Sequence, residues 1–301
     1  MSLHPVVRAA LWMSGALFAL AAMAVAGREL AATLTPFQVL LFRSLVGLAV
    51  LCPLLAVTGW QRVRTAQLRT HLARNLLHFL GGCGWFYGLA QLSLAEVFAI
   101  EFTVPVWVAI LASFVLGERL GRARGLAIAA GLAGVWLILR PGVASVQPAA
   151  LAVLGGAFAY AGAYILTKRL SARDAPLVVL FYMALVQLPL ALGPALVGWH
   201  WPPPAAWPWL VVVGLSTLAA HFCITRALSL ADATVVISLD FLRLPLIALI
   251  GHLHYGEAID WWVLAGASLM VAGNLYSLKR ESATGAPRIL GPAPPARGND
   301  R

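Results

Sequence analysis

Four ionisable side chains stand deep inside apolar stretches of this chain: Arg43, Glu101, Asp240 and Arg243. At the centre of a membrane helix such a group costs about 2.5 to 3.5 kcal/mol, so each must be answered by a partner, by water, or by a ligand that carries polar atoms to that depth. Two chemistries follow. A carboxyl placed there can take up a proton on one side of a membrane and release it on the other, and it can instead hydrogen-bond a cargo beside the guanidinium groups. Asp240 and Arg243 also lie i, i+3 on one helix, where they can simply neutralise each other.

Other side chains suited to holding a small organic molecule fall near the same depth. Trp85, Tyr87, Phe102, Tyr160 and Tyr164 offer flat faces, and His78, His221 and Asn75 are polar groups in or at the start of apolar runs. Any single aromatic in a membrane is more often packing or an interfacial anchor, and a lone His is more often a satisfied interhelical hydrogen bond. Pro105 and Pro245 follow the two acids by four and five residues and disturb a helix about one turn back, which predicts kinks near Glu101 and Asp240.

The elements that must position these groups are membrane helices. Of the 301 residues, 61% are hydrophobic and only 11% charged, against about 45–50% and about 25% in a soluble domain. Apolar runs fall near Ala9–Gly27, Pro36–Val57, Leu76–Gln91, Ala95–Leu116, Gly125–Leu139, Ala149–Thr167, Pro176–Val197, Trp207–Leu228, Ala233–His252 and Trp261–Ser277. Ten crossings at roughly 20 residues each consume most of the chain and leave no room for a soluble domain. The first run resembles a signal peptide at Ala24-Val25-Ala26, but it is long for one, and cleavage is not expected. The Gly- and Pro-rich end, residues 282–301, reads as a disordered tail.

With ten spans both termini share a side. Seventeen basic residues fall in the segments on that side, and only Arg28 and Arg140 on the other, which predicts cytoplasmic termini. The net charge of +10 therefore reads as loop charge beside anionic lipids, and no nucleic-acid partner is expected. Cys52, Cys83 and Cys223 lack metal or redox spacing, and no nucleotide-binding loop, HExxH or GxSxG sequence is present. No cofactor and no metal are expected.

The chain repeats itself at offsets of 136 to 140. Leu92-Ser93-Leu94-Ala95-Glu96 recurs as Leu228-Ser229-Leu230-Ala231-Asp232, Glu101-Phe102 as Asp240-Phe241, Gly117-Glu118 as Gly256-Glu257, and Ala133-Gly134 as Ala272-Gly273. A five-span unit is odd, so its second copy enters the membrane upside down. The expected fold is an all-α membrane protein of ten transmembrane helices in two inverted five-helix repeats, residues 1–141 and 142–281. Ser93-x-x-Glu96 and Ser229-x-x-Asp232 have the form of helix caps, the reading favoured for both acids over a ligand role. Gly125, Gly131, Gly134, Gly266 and Gly273 would let spans 5 and 10 pack tightly.

This doubled unit, its LSLA-acid turns and the Gly-Glu pairs after spans 4 and 9 resemble the drug/metabolite transporter superfamily, built of two EamA-type repeats, over residues 9 to 280. The resemblance implies a ten-helix carrier with spans 1 to 4 and 6 to 9 around a central cavity, and spans 5 and 10 apart with dimer contacts. Arg74-Asn75-Leu76-Leu77-His78-Phe79, Glu101-Phe102-Thr103 and Asp240-Phe241-Leu242-Arg243-Leu244-Pro245 look most like its riboflavin-transporter-like branch of bacterial uptake carriers. The expected function is secondary transport of a small metabolite, best matched by a flat aromatic one such as riboflavin. Export of amino acids or other small metabolites is the rival within transport, and a membrane enzyme the rival outside it.

Overall fold

The computed structural model describes residues 5–115, 122–140, 147–170, 173–228, 240 and 242–284. Among them every regular element is helical. They are α1 (Pro5–Ala31), α2 (Pro36–Thr58), α3 (Leu68–Gln91), α4 (Leu94–Glu101), α5 (Val104–Val115), α6 (Arg122–Leu139), α7 (Pro148–Leu170), α8 (Pro176–Ala195), α9 (Trp207–Leu228), α10 (Arg243–Tyr255) and α11 (Trp261–Thr284), with short 3-10 turns at Trp60–Val63 and Pro204–Ala206. Among the described residues six segments are long and apolar enough to cross a membrane, and Gly125–Leu139 forms a shorter apolar helix. The repeat residues Gly117-Glu118, Ser229 to Asp232 and Phe241 lie outside the described residues.

Three boundaries differ from the sequence expectation. α3 begins at Leu68, not Leu76, and so takes in Arg69 and Arg74, which the charge pattern had assigned to a loop. The expected fourth span is two helices. Pro105 cannot donate to the carbonyl of Glu101, four residues back, and the chain turns at Phe102 and Thr103 before Thr103 starts α5 by accepting from Trp107 N–H at 3.1 Å. α11 continues to Thr284, into the segment expected as tail, because nothing from Glu281 to Thr284 breaks a helix.

The helices pair across the two halves. α1 packs along α9, α3 along α7, α2 along α8, α6 along α11, and α4 against α10. Exchanging the halves turns the α1–α9 pair into the α7–α3 pair and returns the α2–α8 and α6–α11 pairs to themselves, as a two-fold relation requires. Opposed directions follow from the end contacts. The C-terminal end of α1 carries Arg28, which donates to Leu89 O and Leu92 O where α3 ends. Gly88, on that same turn of α3, abuts Val153 near the start of α7. Thus α1 arrives where α7 departs. At the opposite end, Met13 and Ala16 of α1 cluster with Ala227 at the close of α9. Asp260, just before α11, meets Arg140 at 2.6 Å at the Arg28 end, so α11 finishes at the end where α1 begins.

Small residues permit these pairings. A Cβ at Gly84 would fall 2.2 Å from the backbone oxygen of Ala152, and one at Gly134 would fall 2.6 Å from that of Gly266, so α3–α7 and α6–α11 touch backbone to backbone. Gly273 meets Ala127 and Ala130 in the second of these pairs, while Gly131 turns to Val106 of α5. Gly125 faces open space, so the close approach expected there belongs to its neighbours, and Gly155 of α7 is open as well.

At the Arg28 end His200 ties the loop before α9 to the loop before α2. Its Nε2 lies 2.6 Å from Thr33 O and its Nδ1 3.2 Å from Gly198 O, while Gln38 Nε2 donates to His200 O at 3.0 Å. A neutral ring has one N–H for two acceptors, whereas the imidazolium serves both. The Thr33 carbonyl, and then that of Gly198, therefore hold His200 above its ordinary pKa.

Two outcomes are expected. Gly84→Val lowers thermal stability by about 1–3 kcal/mol or prevents folding, because a backbone carbonyl cannot step aside, while Gly155→Ala at an open helical site is neutral or stabilising by up to about 1 kcal/mol; melting of both purified variants decides. Because the folded pKa of His200 is raised, its stabilisation is full below about pH 6.5 and fades as pH rises through the folded value. The gap in Tm between the wild type and His200→Ala should therefore be widest near pH 6 and shrink toward pH 8.

Candidate functional site

The acids of the two halves meet over one arginine. Arg243 opens α10, and its Nη2 lies 3.4 Å from Glu101 Oε1 and 3.3 Å from Asp240 Oδ2. Its guanidinium also stacks over the rings of Phe98 and Phe102, 5.0 and 5.4 Å from their centroids. The other oxygen of Glu101 accepts from Trp85 Nε1 at 2.9 Å. The i, i+3 pairing of Asp240 with Arg243 is thus present, together with a third member from the first half. The assembly remains incomplete: Asp240 Oδ1 and Arg243 Nε are buried with no hydrogen-bond partner. Such orphaned atoms in a charged cluster mark a place where water or a ligand completes the bonding.

A second polar cluster joins α2, α3, α8 and α9. Arg43 donates through Nη2 to Gln187 Oε1, and the Gln187 amide faces His78 Nδ1 at 3.0 Å. His78 meets Tyr160 edge-on at 5.0 Å and lies 6.1 Å from His221 between ring centroids. One turn away on α3, Arg74 donates to Thr167 Oγ1 at 3.1 Å and to Asn75 Oδ1 at 2.7 Å, and Asn75 in turn holds Tyr182 O at 3.1 Å. A narrow crevice opens beside Arg43, lined also by Ser44, Gln187, Gly214 and Thr217.

α7 stands between the clusters. Tyr160 lies on Gly81, where a Cβ would come within 2.6 Å of its ring, and it feels the charges of both Arg43 and Glu101. Tyr164, one turn further, lies within electrostatic reach of Arg74, Glu101, Asp240 and Arg243. It is nonetheless 49% exposed. The outward stripe of α7 runs through Leu151, Gly155 and Phe158, and Tyr164 is on the other side. Its open surface therefore faces internal space, toward the end where α7 finishes. At the Arg28 end the matching space is closed, with Leu30, Leu89, Leu94, Val97 and Phe98 fully buried.

The sequence candidates therefore separate. Arg43, Asn75, His78, Glu101, Tyr160, Tyr164, His221, Asp240 and Arg243 border this interior. Trp85 and Phe102 are only 3% exposed and act from behind, one holding Glu101 and the other carrying Arg243. Tyr87 lies apart from this interior: it is 40% exposed on the face of α3 that also presents Leu76 and Leu80, and its position two residues from Trp85 turns it outward. Pro105 is the second residue of α5 and Pro245 the third of α10, each beside an acid.

Three residues escaped sequence reasoning. Arg74 is 4% exposed, and the signal was its spacing of four from His78, which puts both on one face. Gln187 is fully buried at the centre of α8, a lone amide in an apolar run. Glu257 bonds Arg28 at 2.9 Å and Leu94 N–H at 2.8 Å, so it joins α1 to the start of α4. Ser93 accepts from Glu96 N–H at 3.2 Å as a cap requires, but the second donor at that helix start goes to Glu257.

A multi-pass helical membrane protein with a polar, partly open interior between two related halves is a transporter scaffold. The sequence profile of the EamA-like transporter family matches residues 7–140 and again residues 147–278. This chain belongs to that family, and its two repeats are two copies of the EamA domain of the drug/metabolite transporter superfamily. It is 32% identical over 230 residues to a riboflavin transporter of Rhizobium johnstonii, covering 76% of each chain. It is 27% identical over 257 residues to an S-adenosylmethionine uptake transporter of Rickettsia prowazekii, covering 85% of this chain and 87% of the other. A solved structure 19% identical, covering 92% of this chain and 99% of its own, matches with a TM-score of 0.64, a likeness of fold.

Arg243→Met strands two carboxylates, and removing one partner of a buried pair costs about 3–5 kcal/mol. We expect a lowered Tm for that variant and partial recovery when Asp240→Asn is added; equal Tm for the single and double variants would mean that Arg243 does not neutralise Asp240.

Proposed function

We propose that this chain is a secondary active carrier that takes up a small organic metabolite across the bacterial inner membrane by alternating access. In this reading ten helices cross the bilayer in two inverted halves, both termini are cytoplasmic, and no cofactor takes part. The observation that carries it is Arg243 held between Glu101 of one half and Asp240 of the other, at the helix interruption and beside open interior space. A rocking motion of one half against the other would change the distances within that triad directly. Its carboxyls can then exchange a proton or release a cargo contact as the halves move.

For the cargo, a flat aromatic metabolite such as riboflavin is the best representative. Tyr160 and Tyr164 offer ring faces toward the interior, and polar groups surround them. The riboflavin transporter among the relatives supports this choice. A charged cargo is the second reading, supported by the S-adenosylmethionine carrier among the relatives and by the acids of the triad. The Arg28 end, with its net of Arg28, Glu257 and Arg140–Asp260 contacts, is the periplasmic side in this proposal, and the interior opens to the cytoplasm. A homodimer through the outer faces of α6 and α11 belongs to the same reading.

The test is tracer uptake into sealed vesicles and growth of a riboflavin auxotroph. Riboflavin entry should fall about tenfold or more in Glu101→Gln and Asp240→Asn, the loss of a charge-assisted contact, with protein levels unchanged. Entry of S-adenosylmethionine in place of riboflavin selects the second reading. Product formation in detergent, without a second compartment, would replace transport by membrane enzymology.

A further inference from the structure

The two clusters differ in charge balance. Around Arg243 one guanidinium meets two carboxylates. Around Arg43 and Arg74, among the described residues, two guanidinium groups meet Gln187, Thr167 and Asn75 and the face of Phe86, 5.9 Å from Arg43, all neutral. Among the described residues no carboxylate lies within ion-pair distance of either. Both are buried, and Arg74 lies within reach of the charge of Arg43. Two cations withdrawn from water side by side, with no counter-charge from the protein, form an unfinished site.

Hydrogen-bond direction sharpens this. Arg43 can only donate, so the carbonyl oxygen of Gln187 faces it and the Gln187 amide N–H is left to donate to His78 Nδ1. A neutral His78 then carries its proton on Nε2, as a further donor. Arg43 uses one guanidinium nitrogen on protein and Arg74 two, which leaves N–H groups of both for a ligand. Arg43 borders the crevice, and Arg74 and His78 stand one turn apart on the adjoining α3, so the cluster offers donors in excess of acceptors, and its complement is an acceptor that is also negative.

We propose that Arg43, Arg74 and His78 form an oxyanion subsite, and that the cargo carries a carboxylate or phosphate group that docks there while its remaining body reaches past Tyr160 toward the acidic triad. This rests on the carrier reading and narrows it to anionic cargo. Guanidinium pairs bind such groups through charge-assisted hydrogen bonds in a fork geometry that a neutral hydroxyl cannot match.

The test is thermal unfolding of the purified full chain in detergent with four probes: riboflavin, riboflavin 5′-phosphate, inorganic phosphate and acetate. At equal concentration the phosphate ester should raise Tm more than riboflavin, and Arg43→Gln should weaken its apparent affinity by about tenfold or more. Should the ester fail to exceed riboflavin, a shift with inorganic phosphate or acetate that Arg43→Gln removes still supports the subsite and assigns it to a free or differently attached oxyanion. Gln187→Glu supplies the missing counter-charge from the protein. It should raise the unliganded Tm by about 2–4 °C and abolish the oxyanion-dependent shift. A shift with riboflavin alone, or with no probe, overturns the subsite, and so does a Gln187→Glu variant that melts lower and still responds to phosphate. Vesicle uptake of riboflavin and of its 5′-phosphate decides the carrier reading independently, so the two can fail apart.

Discussion

A guanidinium removed from water must be given acceptors, and in hydrocarbon its charge stays costly until a negative group or water answers it. The interior of this protein is organised by how far that demand is met at each arginine. Arg243 receives two carboxylates and two aromatic faces. Arg28 receives Glu257 and the carbonyl oxygens that end α3, where the helix dipole is negative. Arg43 and Arg74 receive, among the described residues, neutral acceptors and one aromatic face. The first two arrangements fasten helices together; the third leaves electrostatic demand unfilled at the centre of a transporter, where a passing molecule can fill it.

The position of these groups depends on the pairing of helices between halves. Because α3 lies along α7 and α1 along α9, most close contacts join one repeat to the other rather than elements within a repeat. Polar contacts follow the same rule: Arg43 to Gln187, Arg74 to Thr167, Asn75 to Tyr182 and Arg243 to Glu101 all cross between halves. A displacement of one half against the other must rearrange these bonds together. The ends are fastened differently. His200 and Glu257 close one end through loop carbonyls and a helix start, while Asp174, bonded by Thr65 at 2.7 Å and His71 at 2.9 Å, joins loops at the other.

Much of the architecture was legible in the chain. The apolar runs, the repeat at offsets near 139 and the placement of Glu101 and Asp240 at equivalent positions all follow from residue order. Errors arose where one-dimensional rules treat charge as a marker of solvent. Arg74 ended the expected third span early because an arginine reads as a loop, yet Thr167 of another helix holds it inside. Tyr87 was grouped with Trp85 by proximity in sequence, although two residues along a helix turn a side chain to the far face. Residue order does not mark Gln187, because its importance lies in bonding Arg43 and His78, residues more than a hundred positions away.

What residue order determined, then, was the solvent and the symmetry: a chain this apolar must satisfy its backbone within helices, and an odd repeat must invert. Tertiary structure decided which buried charges are neutralised and which are left wanting. Ion pairing depends on distances of a few ångströms between helices, and no periodicity within a single helix encodes what its neighbour presents across the gap.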